Sequence, residues 1–233
     1  MIEHIPAQVH SALLYFHSAG ESGAQFEPFL PQWIERLPNT YLWAGDGVIS
    51  GSPLMRQGSH YGEDDRRYWF TFPMQDACSQ ESFAAHIEAM GATLTCGAAY
   101  VNRIADQVMA RFQLPAANLV LCGFQHGGSM ALAASMLRKH DPYACAIVFE
   151  PYLLEAYYLQ HEDNLPPTTV VCIDNAAIHQ RTCEWLKAET TEVLRSYGIN
   201  IRQITVATGD DRLDTAMMSE AIRIMETLTQ PAP

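Results

Sequence analysis

The stretch Gly123–Phe124–Gln125–His126–Gly127–Gly128 holds the densest chemistry in the chain. The apolar run Leu119–Cys122 leads into it, and a small-residue helix leaves it around Met130–Ala134. A strand, a hard turn and a helix in that order form the bend that presents a nucleophile at the centre of G-x-S-x-G. Here the centre is Gln125. A carboxamide nitrogen is not nucleophilic, and no neighbouring base makes it so. Two readings stay open for Gln125. Either the bend persists because its glycines let helix and sheet pack closely, or the carboxamide hydrogen-bonds a ligand at a pocket floor. Both expect a strained backbone there, with positive φ.

Other residues could take part. His126 opens the helix, where the dipole favours anions and lowers a histidine pKa. It reads as a partly exposed histidine or as a general acid/base. Glu150 follows the apolar run "CAIVF" and is either a surface residue or a carboxylate facing Gln125 and His126 with a raised pKa. His17 closes the run "SALLYFH" and reads as structural or catalytic. Asp210 and Asp211 read as a solvated turn or as ligands. One histidine with two carboxylates is a known metal-ligand set, but the spacing of His126, Glu150 and Asp211 does not demand a metal. Neither a metal nor a cofactor is expected. Ser129 lies one helical turn past the bend, with no histidine expected in reach. Cys122 sits on a buried strand, where its thiol is expected to be inert. Trp69 and Phe70 read as anchors of a long loop or as a pocket wall.

These residues hang on an alternating pattern. Strands are expected at Ser11–His17, Thr40–Ala44, Asn118–Cys122, Ala144–Phe149, Thr169–Ile173 and Ile201–Val206. Helices are expected at Gln25–Leu37, Phe83–Phe112, Gly128–Lys139, Ala176–Tyr197 and Leu213–Leu228, with Gly91 and Gly97 as candidate breaks. Residues 45–80 lack periodicity and read as an excursion or lid. "EDDRR" (Glu63–Arg67) within it reads as a solvated, self-paired loop. Short apolar strands alternating with helices predict an α/β domain, a mainly parallel sheet with helices on both faces. Ligands in such sheets sit beyond the carboxyl ends of the strands.

The 233 residues suit one domain, 1–233. A net charge of −12 without a Lys/Arg cluster argues against nucleic-acid or anionic-membrane surfaces. No apolar run approaches the ~20 residues of a membrane span. The start, "MIEHIPAQVH", lacks the basic and apolar regions of a signal peptide, so a cytoplasmic protein is expected. The six cysteines contain no C-x-x-C pair, so neither a disulfide framework nor a zinc site is expected.

The order of motifs resembles the phospholipase/carboxylesterase branch of the α/β-hydrolases, which includes the acyl-protein thioesterases. "LLYFHSAGESG" resembles its apolar strand with H-G-x-G, and "RYWF" (Arg67–Phe70) its R-x-W-F. "LPAANLVLCGFQHGGSMALAAS" resembles its G-F-S-Q-G-G segment. The likeness runs from about Leu13 to Leu228 and implies a single-domain α/β-hydrolase fold. It also implies a Ser–His–Asp triad, whose three places match Gln125, Ala177 (in "CIDNAAIH") and Asp211 (in "VATGDDRLD"), with Asp174 nearby but at the wrong point of its turn. The triad therefore reads as lost at all three places. Backbone N–H groups of Ala19 and His126 would form the oxyanion hole, with Ser18 where the family has Gly. His17 would hold the loop, and Ser129 would pack toward the sheet. The implied function is a non-hydrolytic protein that binds a small, partly apolar ligand or a protein partner, as a monomer or homodimer. The alternative is an enzyme working by acid–base chemistry through His126, Glu150 and Gln125. An ordinary serine esterase is the least expected.

Overall fold

Strand β2 (Ser11–Phe16) shows how the pattern becomes architecture, because all six of its residues are buried. Successive side chains of a strand point to opposite faces. Ala12, Leu14 and Phe16 pack on one face with Leu94, Ala98, Val101 and Ala105 of helix α2 (Gln80–Phe112) and with helix α3 (His126–Leu137). Leu13 and Tyr15 pack on the other, with Phe26 of a 3-10 turn (Gly23–Phe29), Trp33 of α1 (Leu30–Arg36) and Met217–Met225 of the last helix, α4 (Thr215–Thr229). A continuous apolar run is what a strand covered on both faces requires.

The computed structural model describes residues 1–50, 67–70, 80–138, 140–151, 168–176, 191–207 and 213–229. Their strands are β1 (Ile2–His4), β2, β3 (Thr40–Gly45), β4 (Ile49–Ser50), β5 (Arg67–Tyr68), β6 (Leu119–Phe124), β7 (Cys145–Phe149), β8 (Thr169–Asn175) and β9 (Asn200–Val206). Seven make one sheet in the order β1-β3-β2-β6-β7-β8-β9, parallel throughout except for β1. β4 and β5 form a separate antiparallel pair. This is the single α/β domain that the alternation predicts.

Several expectations need correction. α2 runs unbroken through Gly91 and Gly97. A helical glycine costs only about 1 kcal/mol, and the buried face from Leu94 to Val108 outweighs that. Gly97 is instead a close-approach site: a Cβ there would lie 2.8 Å from the Trp69 carbonyl oxygen and 2.7 Å from the Met130 Cε. The expected helix Gln25–Leu37 is split into a 3-10 turn and a short α-helix. Pro28 and Pro31 cause the split, since each lacks a donor and crowds the preceding turn. β1 has three residues, too few to show a period, and it is tied down by Glu3. The Glu3 carboxylate accepts from the Tyr41 hydroxyl at 2.8 Å and from Arg111 at 2.7 Å. Within the excursion, β4 and β5 are two residues each and equally invisible to periodicity. The helix after the bend starts at His126, two residues earlier than expected.

Register brings the strand ends to one edge. Phe16 pairs with Gly123, Phe124 with Phe149, and Phe149 with Ile173. Just beyond them the backbone continues stepwise: Gln125 N–H donates to Phe149 O (2.7 Å), Glu150 N–H to Ile173 O (3.1 Å) and Ala176 N–H to Val206 O (2.9 Å). Among the described residues no helix is long and apolar enough to cross a membrane.

Candidate functional site

The bend is built by contact, not by flexible loops. A Cβ on Gly123 would lie 2.3 Å from the Gly127 carbonyl, and one on Gly127 only 2.0 Å from the Phe16 carbonyl oxygen. Glycine at both places lets α3 press its first turn against the ends of β6 and β2. Between them Gln125 adopts φ 47° and ψ −107° as the N-cap of α3, without a side-chain capping bond. A non-glycine residue held there stores roughly 1–3 kcal/mol of strain. The positive φ expected from the sequence is therefore present. The half-buried Gln125 side chain turns to the next loop, where its Oε1 accepts from the Ser18 hydroxyl at 2.9 Å. Its amide nitrogen has no partner among the described residues.

The loop after β2 is held by the fully buried His17. Its Nδ1–H donates to the Ser18 carbonyl at 2.6 Å, and its Nε2 accepts from the Gly47 N–H at 2.9 Å. Both ring nitrogens are used, and burial lowers the pKa despite that carbonyl and the nearby Asp46. Such an imidazole has no lone pair left for substrate. Gln25, which no sequence pattern singles out, adds a second brace: its Oε1 accepts from the Tyr15 hydroxyl (2.8 Å) and the Ser18 N–H (3.2 Å). Ala19 is exposed next to this braced pair.

His126 is 2% exposed, so the expectation of partial exposure is corrected. Its ring stacks on Phe70 at 3.9 Å and 12°, with Tyr68 edge-on at 6.2 Å. Its Nε2–H donates to the Phe70 carbonyl at 3.1 Å. Trp69 of the same strip donates its Nε1–H to the His17 carbonyl (3.1 Å), and Gly20 N–H donates to Arg67 O (3.0 Å). The strip Arg67–Phe70 is thus pinned over both loops. Burial pushes the His126 pKa down to about 3, opposed by the Phe70 carbonyl and assisted by His17. The expected lowering is present, but desolvation leads it.

This has a consequence for pH. In the unfolded chain His126 titrates near ~6.5, so that state binds the extra proton between there and the depressed folded value. Its contribution to stability is therefore complete above about pH 6.5 and is lost progressively as pH falls toward the folded value, at no more than ~1.4 kcal/mol per pH unit. Denaturant midpoints measured from pH 7 to 4 are expected to fall. His126→Phe, which keeps a flat ring, is expected to flatten that decline.

Glu150 is not a surface residue. It is buried, has φ 47°, and its Oε1 accepts from the Asn175 backbone N–H at the end of β8. Cys122 is fully buried, and burial pushes its thiol well up. Ser129 is buried. Of the glycines in the first turn of α3, Gly127 lies against β2, and a Cβ on Gly128 would lie 3.0 Å from the Gly123 carbonyl oxygen. Ala177, Asp210, Asp211 and Glu63–Arg66 lie outside the described residues. Among the described residues no three His, Cys, Asp or Glu side chains are grouped to hold a metal.

No family model matches the chain, and no curated protein matches its sequence. Solved structures do match its shape. Arabidopsis thaliana SOBER1 aligns over 95% of this chain and 98% of its own, with TM-score 0.68 and 16% identity. Zea mays acyl-protein thioesterase 2 aligns over 98% of both chains, with TM-score 0.64 and 15% identity. A Bacillus cereus carboxylesterase covers 97% of this chain and 93% of its own, at TM-score 0.67 and 12% identity. Strand order, the bend after β6 and these full-length likenesses agree: the chain has the α/β-hydrolase fold, in the form shared with carboxylesterases and acyl-protein thioesterases.

Proposed function

We propose that this chain is a non-hydrolytic member of that fold, which binds a small, partly apolar ligand at the strand ends around Gln125. The observation that carries the reading is Gln125 itself. It keeps the strained backbone of a nucleophile-bearing bend while its side chain is an amide anchored on Ser18. An enzyme that had only drifted would have no need to hold that geometry at a cost of roughly 1–3 kcal/mol. With Oε1 engaged by Ser18, the amide nitrogen is left as a donor toward a ligand carbonyl, carboxylate or hydroxyl. The aromatic residues Tyr68 and Phe70, packed on the next residue, His126, are the apolar material of this site. Matching the triad's other places to Ala177 and Asp211 supports the same reading, through the family resemblance.

Acid–base catalysis through His126 and Glu150 is less favoured. The His126 imidazole has its pKa lowered to about 3, too weak a base for neutral pH, and the Glu150 carboxylate accepts from the Asn175 backbone N–H. The test pairs a fluorophosphonate probe with a panel of short-chain p-nitrophenyl esters. Neither covalent labelling nor turnover above the buffer rate is expected. Gln125→Ser is expected to remain silent too, because a serine without its histidine and acid is not activated. Labelling of the wild type, or ester turnover abolished by Ser129→Ala, would sink the reading.

A further inference from the structure

Two polar atoms at the start of α3 are buried without a partner among the described residues: Nδ1 of His126 and Oγ of Ser129. Their residues are 2% and 1% exposed. Buried polar groups are almost always hydrogen-bonded, so each orphan asks for an explanation. The sheet side of this turn is taken by glycines. Gly127 and Gly128 face the strands. At ~100° per residue, His126 and Ser129 each point about 150° away from the direction midway between those two glycines. They therefore share the outer face of the first turn, where positions three apart are neighbours with Cβ atoms ~5–6 Å apart.

Their chemistry is complementary. The Phe70 carbonyl can only accept, so the His126 proton sits on Nε2 and Nδ1 carries a lone pair. Ser129 offers an O–H donor beside it. A hydroxyl does both at a single atom: it donates to the nitrogen and accepts from the serine O–H. A carboxylate, acceptor only, meets a lone pair at Nδ1 and is refused. Phe70 stacked on the imidazole and Tyr68 edge-on add an apolar wall to this polar pair.

We propose that His126 and Ser129 form a polar subsite, walled by Phe70 and Tyr68, that takes the hydroxyl of an alcohol-bearing, partly apolar ligand. This rests on the non-hydrolytic binding reading and names its ligand chemistry. The same hydroxyl chemistry could come from a resident water, and the experiment separates the two. Protein labelled with 15N-histidine is titrated with 1-butanol or with butyrate at neutral pH, and the Nδ1 resonance of His126 is followed. In the free protein Nδ1 is expected at the position of an unbonded lone pair. 1-Butanol is expected to move it toward the hydrogen-bonded position, and butyrate to leave it in place. Ser129→Ala is expected to stay folded, because its lost hydroxyl has no partner, and to weaken the butanol response roughly five- to tenfold. An Nδ1 already hydrogen-bonded in the free protein and unmoved by butanol means a structural water only and overturns the proposal. So does a Ser129→Ala response equal to wild type, or an equal response to butyrate. The wild-type titration stands alone if the variant does not fold. A fluorophosphonate adduct would remove the non-hydrolytic reading by a different measurement, without touching the Nδ1 result.

Discussion

Gly127→Ala is expected to lower the melting temperature by roughly 10 °C or more, or to leave the protein insoluble. The new Cβ would sit 2.0 Å from the Phe16 carbonyl oxygen, 2.4 Å from its carbon and 2.5 Å from the His17 carbonyl oxygen. All three are backbone atoms of a central strand end, so nothing can rotate aside. Overpacking a core costs typically ~1–3 kcal/mol when side chains can repack. Here α3 itself must lift from the sheet, which puts the cost at or above the top of that range, against total stabilities of about 5–15 kcal/mol. Gly198→Ala is the control. Gly198 has φ +82° with nothing within 4 Å of its Cβ position, so its cost is only the ~1 kcal/mol of left-handed backbone. Thermal melts followed by circular dichroism separate the two. Equal, small shifts at both positions would mean that the first turn of α3 does not touch β2.

Trp69→Ala is expected to cost about 3–5 kcal/mol, the range for emptying a buried large aromatic site. Trp69 is 1% exposed and packs edge-on to Phe16 at 5.1 Å and tilted against His17 at 5.0 Å. Its indole N–H also ties the excursion to the His17 carbonyl. Trp69→Phe keeps most of the ring and loses that bond, so about 1 kcal/mol plus a small packing term is expected. Urea midpoints at neutral pH give both values. If Trp69→Phe costs as much as Trp69→Ala, the N–H bond rather than the buried ring holds the strip in place.

The core was legible because its signals are local. The short apolar runs within Ser11–His17, Asn118–Cys122 and Ala144–Phe149, each bounded by turn residues, read as strands covered on both faces. The glycines around Gln125 marked the bend, since they stand between an apolar run and a small-residue helix. Short elements were not legible. β1, β4 and β5 have two or three residues each, fewer than a period needs to declare itself. The unbroken course of α2 through Gly91 and Gly97 escapes the sequence for a related reason. Propensity is a weak local term, and Leu94, Ala98 and Val101, buried against β2 and α3, override it.

The site divides in the same way. Residue types alone predicted a strand, a hard turn and a helix with an amide, Gln125, at the centre of the turn, and the structure has that bend between β6 and α3. The partners of each side chain came only from the fold, because they lie far away in sequence. Gln125 meets Ser18 across 107 residues, His126 meets the Phe70 carbonyl across 56, and Glu150 meets the Asn175 N–H across 25. Tertiary structure made His17 a brace bonded at both ring nitrogens and left His126 with a buried Nδ1 that has no partner among the described residues. Hydrogen bonds and burial belong to the neighbours that folding supplies, and no local pattern encodes them.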